Sequence, residues 1–211
     1  MHNQRRLARG DESAPDFQRH DALLRTALAV LLVLLGAAAT LIDHPWNVTP
    51  MGAIALFAAV YLRNPALAII VPLAALALSD VYKSLADPYW GFGRATLPVV
   101  IFKYVGFVAV VLCGRFVRRD RGLTRYIGSL VVAALSGGVV FFLISNFGCW
   151  LTPVFGYEQS LRGLVDCYVL GLPFFRDMLL GDLVYGPLLF GALALAEWRF
   201  PALAPVRVPG K

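Results

Sequence analysis

Five ionisable side chains stand within or at the edges of long apolar runs: Asp80, Lys103, Arg176, Asp177 and Asp182. A charge at the centre of a membrane helix costs at least ~2.5–3.5 kcal/mol, so such groups pair or line a wet cavity. The chemistry these types support is ion pairing and the recognition of polar ligand groups. Catalysis lacks its parts. No Ser/His or Cys/His pair falls at one depth, and no His/Cys spacing reads as a metal site. Of the five, only Asp182 approaches a midplane, so a proton relay with carboxylates at successive depths is not expected either. The sequence therefore predicts neither an enzyme nor a resident cofactor or metal.

The elements that must position these groups are membrane helices. Hydrophobic residues make up 59% of the 211 and charged residues only 15%, whereas a soluble domain carries about 25% charge. Apolar runs predict six spans at about 26–42, 50–62, 65–82, 95–114, 126–145 and 173–196. Together they form a single membrane domain over 26–196, with polar tails at 1–25 and 197–211. The 146–172 stretch reads as a long loop and 83–94 as a polar, aromatic linker. The second run is short for a span, and sidedness decides it. Six spans with both termini cytoplasmic put 14 of the 19 Lys and Arg inside, among them the cluster Arg115, Arg118, Arg119, Arg121 and Arg125. Demoting the second run would turn that cluster outward. The net charge of +6 is concentrated in these loops, as a lipid-facing surface requires, so nucleic acid is not an expected partner.

With this topology the polar groups gather on the outer side. Asp80 falls at the outer end of span three, and Arg176 and Asp177 fall in the first turns of span six. Lys103 enters roughly 12 Å into span four and Asp182 roughly 15 Å into span six. Asp43 and His44 follow span one on the same side. Each also has a bland explanation: Asp80 as an interfacial residue, Lys103 snorkelling outward, Arg176 and Asp177 meeting headgroups. Asp182 is too deep for that and calls for a buried partner. Arg176 and Asp182 point about 120° apart on a helix, so they do not face one centre. Trp46, Trp90 and Trp150 fall near outer span ends, as interface anchors or as stacking surfaces.

Cys113 lies in an apolar run. Cys149 and Cys167 share one outer stretch, where pairing in an oxidising compartment is an open alternative to free thiols.

Three blocks carry a resemblance: 44–57 with Pro50-Met51-Gly52-Ala53, 72–80 ending in Ser79-Asp80, and 171–185 with Leu180-Gly181-Asp182, the last preceded by Cys167-Tyr168. They resemble an uncharacterised bacterial family of six-helix membrane proteins. That family is similar to the substrate-binding S components of energy-coupling factor vitamin transporters, including the solitary cobalamin-transporting type. The likeness runs from about 44 to 191. It implies an S-component-like six-helix bundle in the bacterial inner membrane, with an outer pocket for a vitamin or cofactor precursor, cobalamin among the candidates. It also implies pocket roles for His44, Asp80 and Arg176, and an energising transmembrane and ATPase module as partner. Two features depart from that pattern. The Ala-x-x-x-Ala docking patch of S components is absent from span one and occurs at Ala55 and Ala59 in span two. No cysteine stands in 96–103, where the solitary cobalamin type can carry a cobalt ligand.

The expected function is thus capture of a small molecule in an outward cavity for uptake. His44, Asp80 and Arg176 would meet its polar groups. Trp46, Tyr89 and Trp90 would cover its apolar part, while Lys103 and Asp182 set the electrostatics of the floor. The alternative is a non-transporting structural membrane subunit, in which Lys103 and Asp182 satisfy one another and leave no cavity.

Overall fold

The structure is a computed structural model that describes residues 14–39, 48–62, 64–86, 96–118 and 122–200. His44, Trp46, Tyr89 and Trp90 lie outside the described residues. Among those described there are six α-helices: α1 Ala14–Ala39, α2 Met51–Tyr61, α3 Pro65–Ala86, α4 Leu97–Gly114, α5 Leu123–Leu151 and α6 Leu161–Arg199. A 3-10 turn, Pro153–Phe155, lies between the last two. Four of the six, α3 to α6, contain an uncharged or nearly uncharged stretch long enough to cross a membrane.

Many large apolar side chains face outward, among them Leu35, Ile70, Val132, Leu183 and Leu195, and several alanines lie inside, among them Ala55, Ala58, Ala68 and Ala75. Without a hydrophobic force between helices in lipid, close backbone approach through small residues drives packing. With four helices long and apolar enough to cross a membrane and large apolar side chains on the exterior, the described chain is an all-helical membrane protein.

The short helix α2 is the centre of the bundle. It packs against each of the other five helices, and Met51 to Ala59 are all buried. A helix that is apolar all round belongs inside. Its 11 residues reach only about 16 Å, half the ~30 Å hydrocarbon thickness. Because α2 faces protein on every side, that thickness does not set its length. Ala55 and Ala59, the pair with the docking-patch spacing, are 0% and 2% exposed. They let neighbouring helices approach and offer no surface to a partner.

The stretch 146–172 is not a long loop. α5 runs on to Leu151 and α6 starts at Leu161, with Ser160 capping α6 by accepting from the Gly163 N–H at 3.2 Å. Polar residues such as Asn146, Arg162 and Asp166 interrupt the hydropathy there without interrupting the helices. Likewise α1 extends back to Ala14, into the segment read as a polar tail. At 39 residues, α6 is about 58 Å long, more than a bilayer core requires. It contains Pro173 and Pro187, each of which removes a helix hydrogen bond and permits a bend.

Candidate functional site

Asp80 and Lys103 are brought together. Each lies six residues from the ends where α3 and α4 are joined: Asp80 before Ala86, Lys103 after Leu97. Both are therefore about 9 Å in from their helix ends, and in antiparallel neighbours equal depth means contact. The Lys103 Nζ donates to Asp80 Oδ2 at 2.6 Å, and the Tyr104 hydroxyl donates to the same oxygen at 3.1 Å. Asp80 is buried, and the Lys103 side chain keeps 28% of its surface. Lys103 thus combines a buried counter-charge with a side chain that is not fully covered. Of the two readings open for Lys103, the structure takes the pairing with a carboxylate. Tyr104 went unnoticed in the sequence because an aromatic residue in an apolar run carries no polar signal.

Asp182 does not join that cluster, and Lys103 is not its partner. It lies against the amino end of α2. A Cβ on Gly52 would fall on the Asp182 carboxylate, and a Cβ on Gly181 would fall on the backbone of Thr49. Only glycines at both places allow α6 to come this close. The first N–H groups of a helix have no partner within it, and Pro50, at the cap position of α2, offers no side-chain bond. Asp182 fills that role from another helix, facing the Ala53 N–H, where the helix dipole favours a negative charge. Its Oδ1 is shielded from solvent and has no hydrogen-bond partner among the described residues.

The other end of α2 is held in the complementary way. Arg115, just past the end of α4, donates through Nη1 to Ala59 O at 3.2 Å and to Leu62 O at 3.1 Å. A cation there satisfies the orphan carbonyls and opposes the negative end of the dipole. A third such clasp is at Thr152, which is fully buried. Its Oγ1 accepts from the Val99 N–H at 3.1 Å, in the first turn of α4, and donates to Gly148 O at 2.7 Å. Neither Arg115 nor Thr152 stood out in the sequence, one lying in a basic loop and the other beside a proline turn.

Arg176 belongs to none of these. It pairs with its neighbour Asp177, Nε at 3.0 Å and Nη2 at 2.9 Å from Oδ1, and its side chain is 74% exposed. An ion pair so open to its surroundings contributes little to stability. A concavity of about 350 Å³ opens at the turn between α5 and α6, lined by Gly156, Tyr157, Glu158, Gly163, Asp166, Val169 and Leu170. None of the expected site residues lines it. Among the described residues no group of three or more His, Cys, Asp or Glu is placed to hold a metal ion.

A family model described as a family of unknown function, DUF6580, matches residues 20–203, and the chain belongs to that family. No curated protein and no solved structure matches the chain.

Proposed function

We propose that this family member is a substrate-binding uptake protein of the bacterial inner membrane, S-component-like, with six spans and both termini cytoplasmic. It captures a vitamin or cofactor precursor from outside. One observation carries the reading: a buried carboxylate, Asp80, is paired with Lys103, whose side chain stays partly exposed, near the joined ends of α3 and α4. Such a cation can exchange part of its interaction for a carboxylate or phosphate on a ligand. The segment 87–95 that joins the two helices contains Tyr89 and Trp90, which would supply apolar cover. His44 and Trp46, from the segment between α1 and α2, and Arg176 would complete the polar and aromatic contacts. Cobalamin is one candidate ligand, and no bound cofactor or metal takes part. An energising module would drive release to the cytoplasm, unless the protein reorients alone.

Native mass spectrometry of the protein purified from cells tests this, beside an Asp80→Asn/Arg176→Ala variant. A vitamin-sized adduct retained by the parent and lost by the variant supports capture and identifies the ligand. An apo spectrum, followed by no binding of added cobalamin or other vitamins, removes the proposal.

The structural-subunit reading has its own support. The side chains of Asp182 and Arg115 are used on the ends of α2, which is a packing role. On that reading the Lys103–Asp80 pair only fixes the register of α3 against α4, and stability falls in the variant with no ligand ever found.

A further inference from the structure

We infer that Cys149 and Cys167 are a dithiol that closes to a disulfide, stapling the carboxyl end of α5 to the amino end of α6. Both are free in this structure. The packing of the two helices brings them together. A Cβ on Gly138 would meet Phe175, Met178 and Leu179, and one on Gly171 would meet Phe142 and Asn146. Phe142 stacks on Phe175 at 4.9 Å and on Tyr168 at 5.7 Å. The facing stripe on α5 thus runs through 138, 142 and 146, and the matching stripe on α6 runs back through 175, 171 and 167. The next position along the α5 stripe, one turn beyond 146, is 149.

The thiol of Cys167 confirms the register. It is 1% exposed and donates to Asn146 O at 3.3 Å, and the Trp150 N–H faces it as well. Cys149 stands between those two residues in α5. Cys149 is thus placed opposite Cys167, and a disulfide needs the pair of Cβ atoms within about 3.5–4.5 Å.

The step needs a disulfide donor, here a thiol oxidase of an oxidising compartment. Cys149, the more accessible thiol, loses its proton and attacks the donor disulfide, releasing one donor thiol. Cys167 then attacks the Cys149 sulfur, and the second donor thiol leaves. The chain gives up two electrons and two protons, and the donor takes them up. The staple would frame the 152–160 turn, whose Tyr157 lines the concavity described above and contacts Cys167.

The inference rests on the proposed topology, in which this turn is outside. The test therefore separates the two. Cells are lysed in N-ethylmaleimide and the full chain is digested without reductant for mass spectrometry. In parallel, Val154→Cys, at an exposed turn position, is placed in a background with all three native cysteines changed to Ser and treated on intact cells with a membrane-impermeant maleimide. The expected result is a linked 149–167 peptide, alkylation of Cys113 alone, loss of the link in Cys149→Ser, and labelling of Val154→Cys from outside. External labelling with all three native cysteines alkylated overturns the disulfide and leaves the topology standing. Labelling of Val154→Cys only after permeabilisation overturns the topology and the disulfide with it.

Discussion

Gly52 of α2 and Asp182 of α6 occupy one another's space: the missing side chain of the first is the volume filled by the carboxylate of the second. The blocks Pro50-Met51-Gly52-Ala53 and Leu180-Gly181-Asp182, far apart in the chain, are thus two sides of one contact. Gly52→Ala forces the carboxylate away from the amino end of α2. Overpacking of this kind costs about 1–3 kcal/mol. Gly128→Ala, where a Cβ would meet nothing within 4 Å, is the matched control. Thermal unfolding in detergent should separate the two variants, and equal midpoints would contradict the contact.

Breaking the Asp80–Lys103 pair from either side should reveal a coupling between the two residues. Asp80→Asn leaves an ammonium without its counter-charge, and Lys103→Met leaves a buried carboxylate with Tyr104 as its remaining partner among the described residues. Each should lose about 1–3 kcal/mol, because the partner is left unpaired. The double variant should lose less than the sum, with a coupling of about 0.5–3 kcal/mol. A double-mutant cycle of unfolding free energies measures it, and strict additivity would mean the pair carries no interaction.

Arg115→Met should destabilise the protein by about 1–2 kcal/mol, since two carbonyls at the end of α2 lose a charged donor. Arg115→Lys should restore part of this through one bond and the same charge. Arg118, exposed in the same loop, is the comparison: Arg118→Met should change the midpoint by no more than about 0.5 kcal/mol equivalent. If all three variants unfold alike, the clasp on α2 is not contributing.

Arg176→Ala should leave stability within about ±0.5 kcal/mol, because an exposed ion pair between sequence neighbours holds nothing else in place. This makes Arg176 a clean probe. Any loss of ligand retention in that variant at unchanged melting temperature belongs to binding. A drop in melting temperature would instead place Arg176 in the packing.

The helical, membrane-type build was legible because each of the six apolar runs coincides over most of its length with a helix. The ends were not. Asn146, Arg162 and Asp166 lower hydropathy while still fitting a helix, so 146–172 read as loop. The centrality of α2 was present as a signal, an apolar run without a polar face, but its shortness drew attention instead. Asp182 reads in the sequence as needing a buried partner, of a kind the sequence does not name. Its neighbour proved to be a helix terminus, whose backbone N–H groups have no letter in the sequence. The Asp80–Lys103 contact depends on both groups being equally far from their helix ends, which is visible only once those ends are known. His44, Trp46, Tyr89 and Trp90 fall outside the described residues.

The position of α2 also bears on how the protein is made. Second of the described helices to emerge from the ribosome and too short to cross a bilayer unaided, it has no stable place among lipids by itself. The residue at its carboxyl end, Arg115, arrives after α4, and the residue at its amino end, Asp182, arrives only with α6. The innermost helix is therefore the last to be completed. A chain released before α6 would expose an unclasped helix within the membrane, so this arrangement makes full-length synthesis a condition for a finished core.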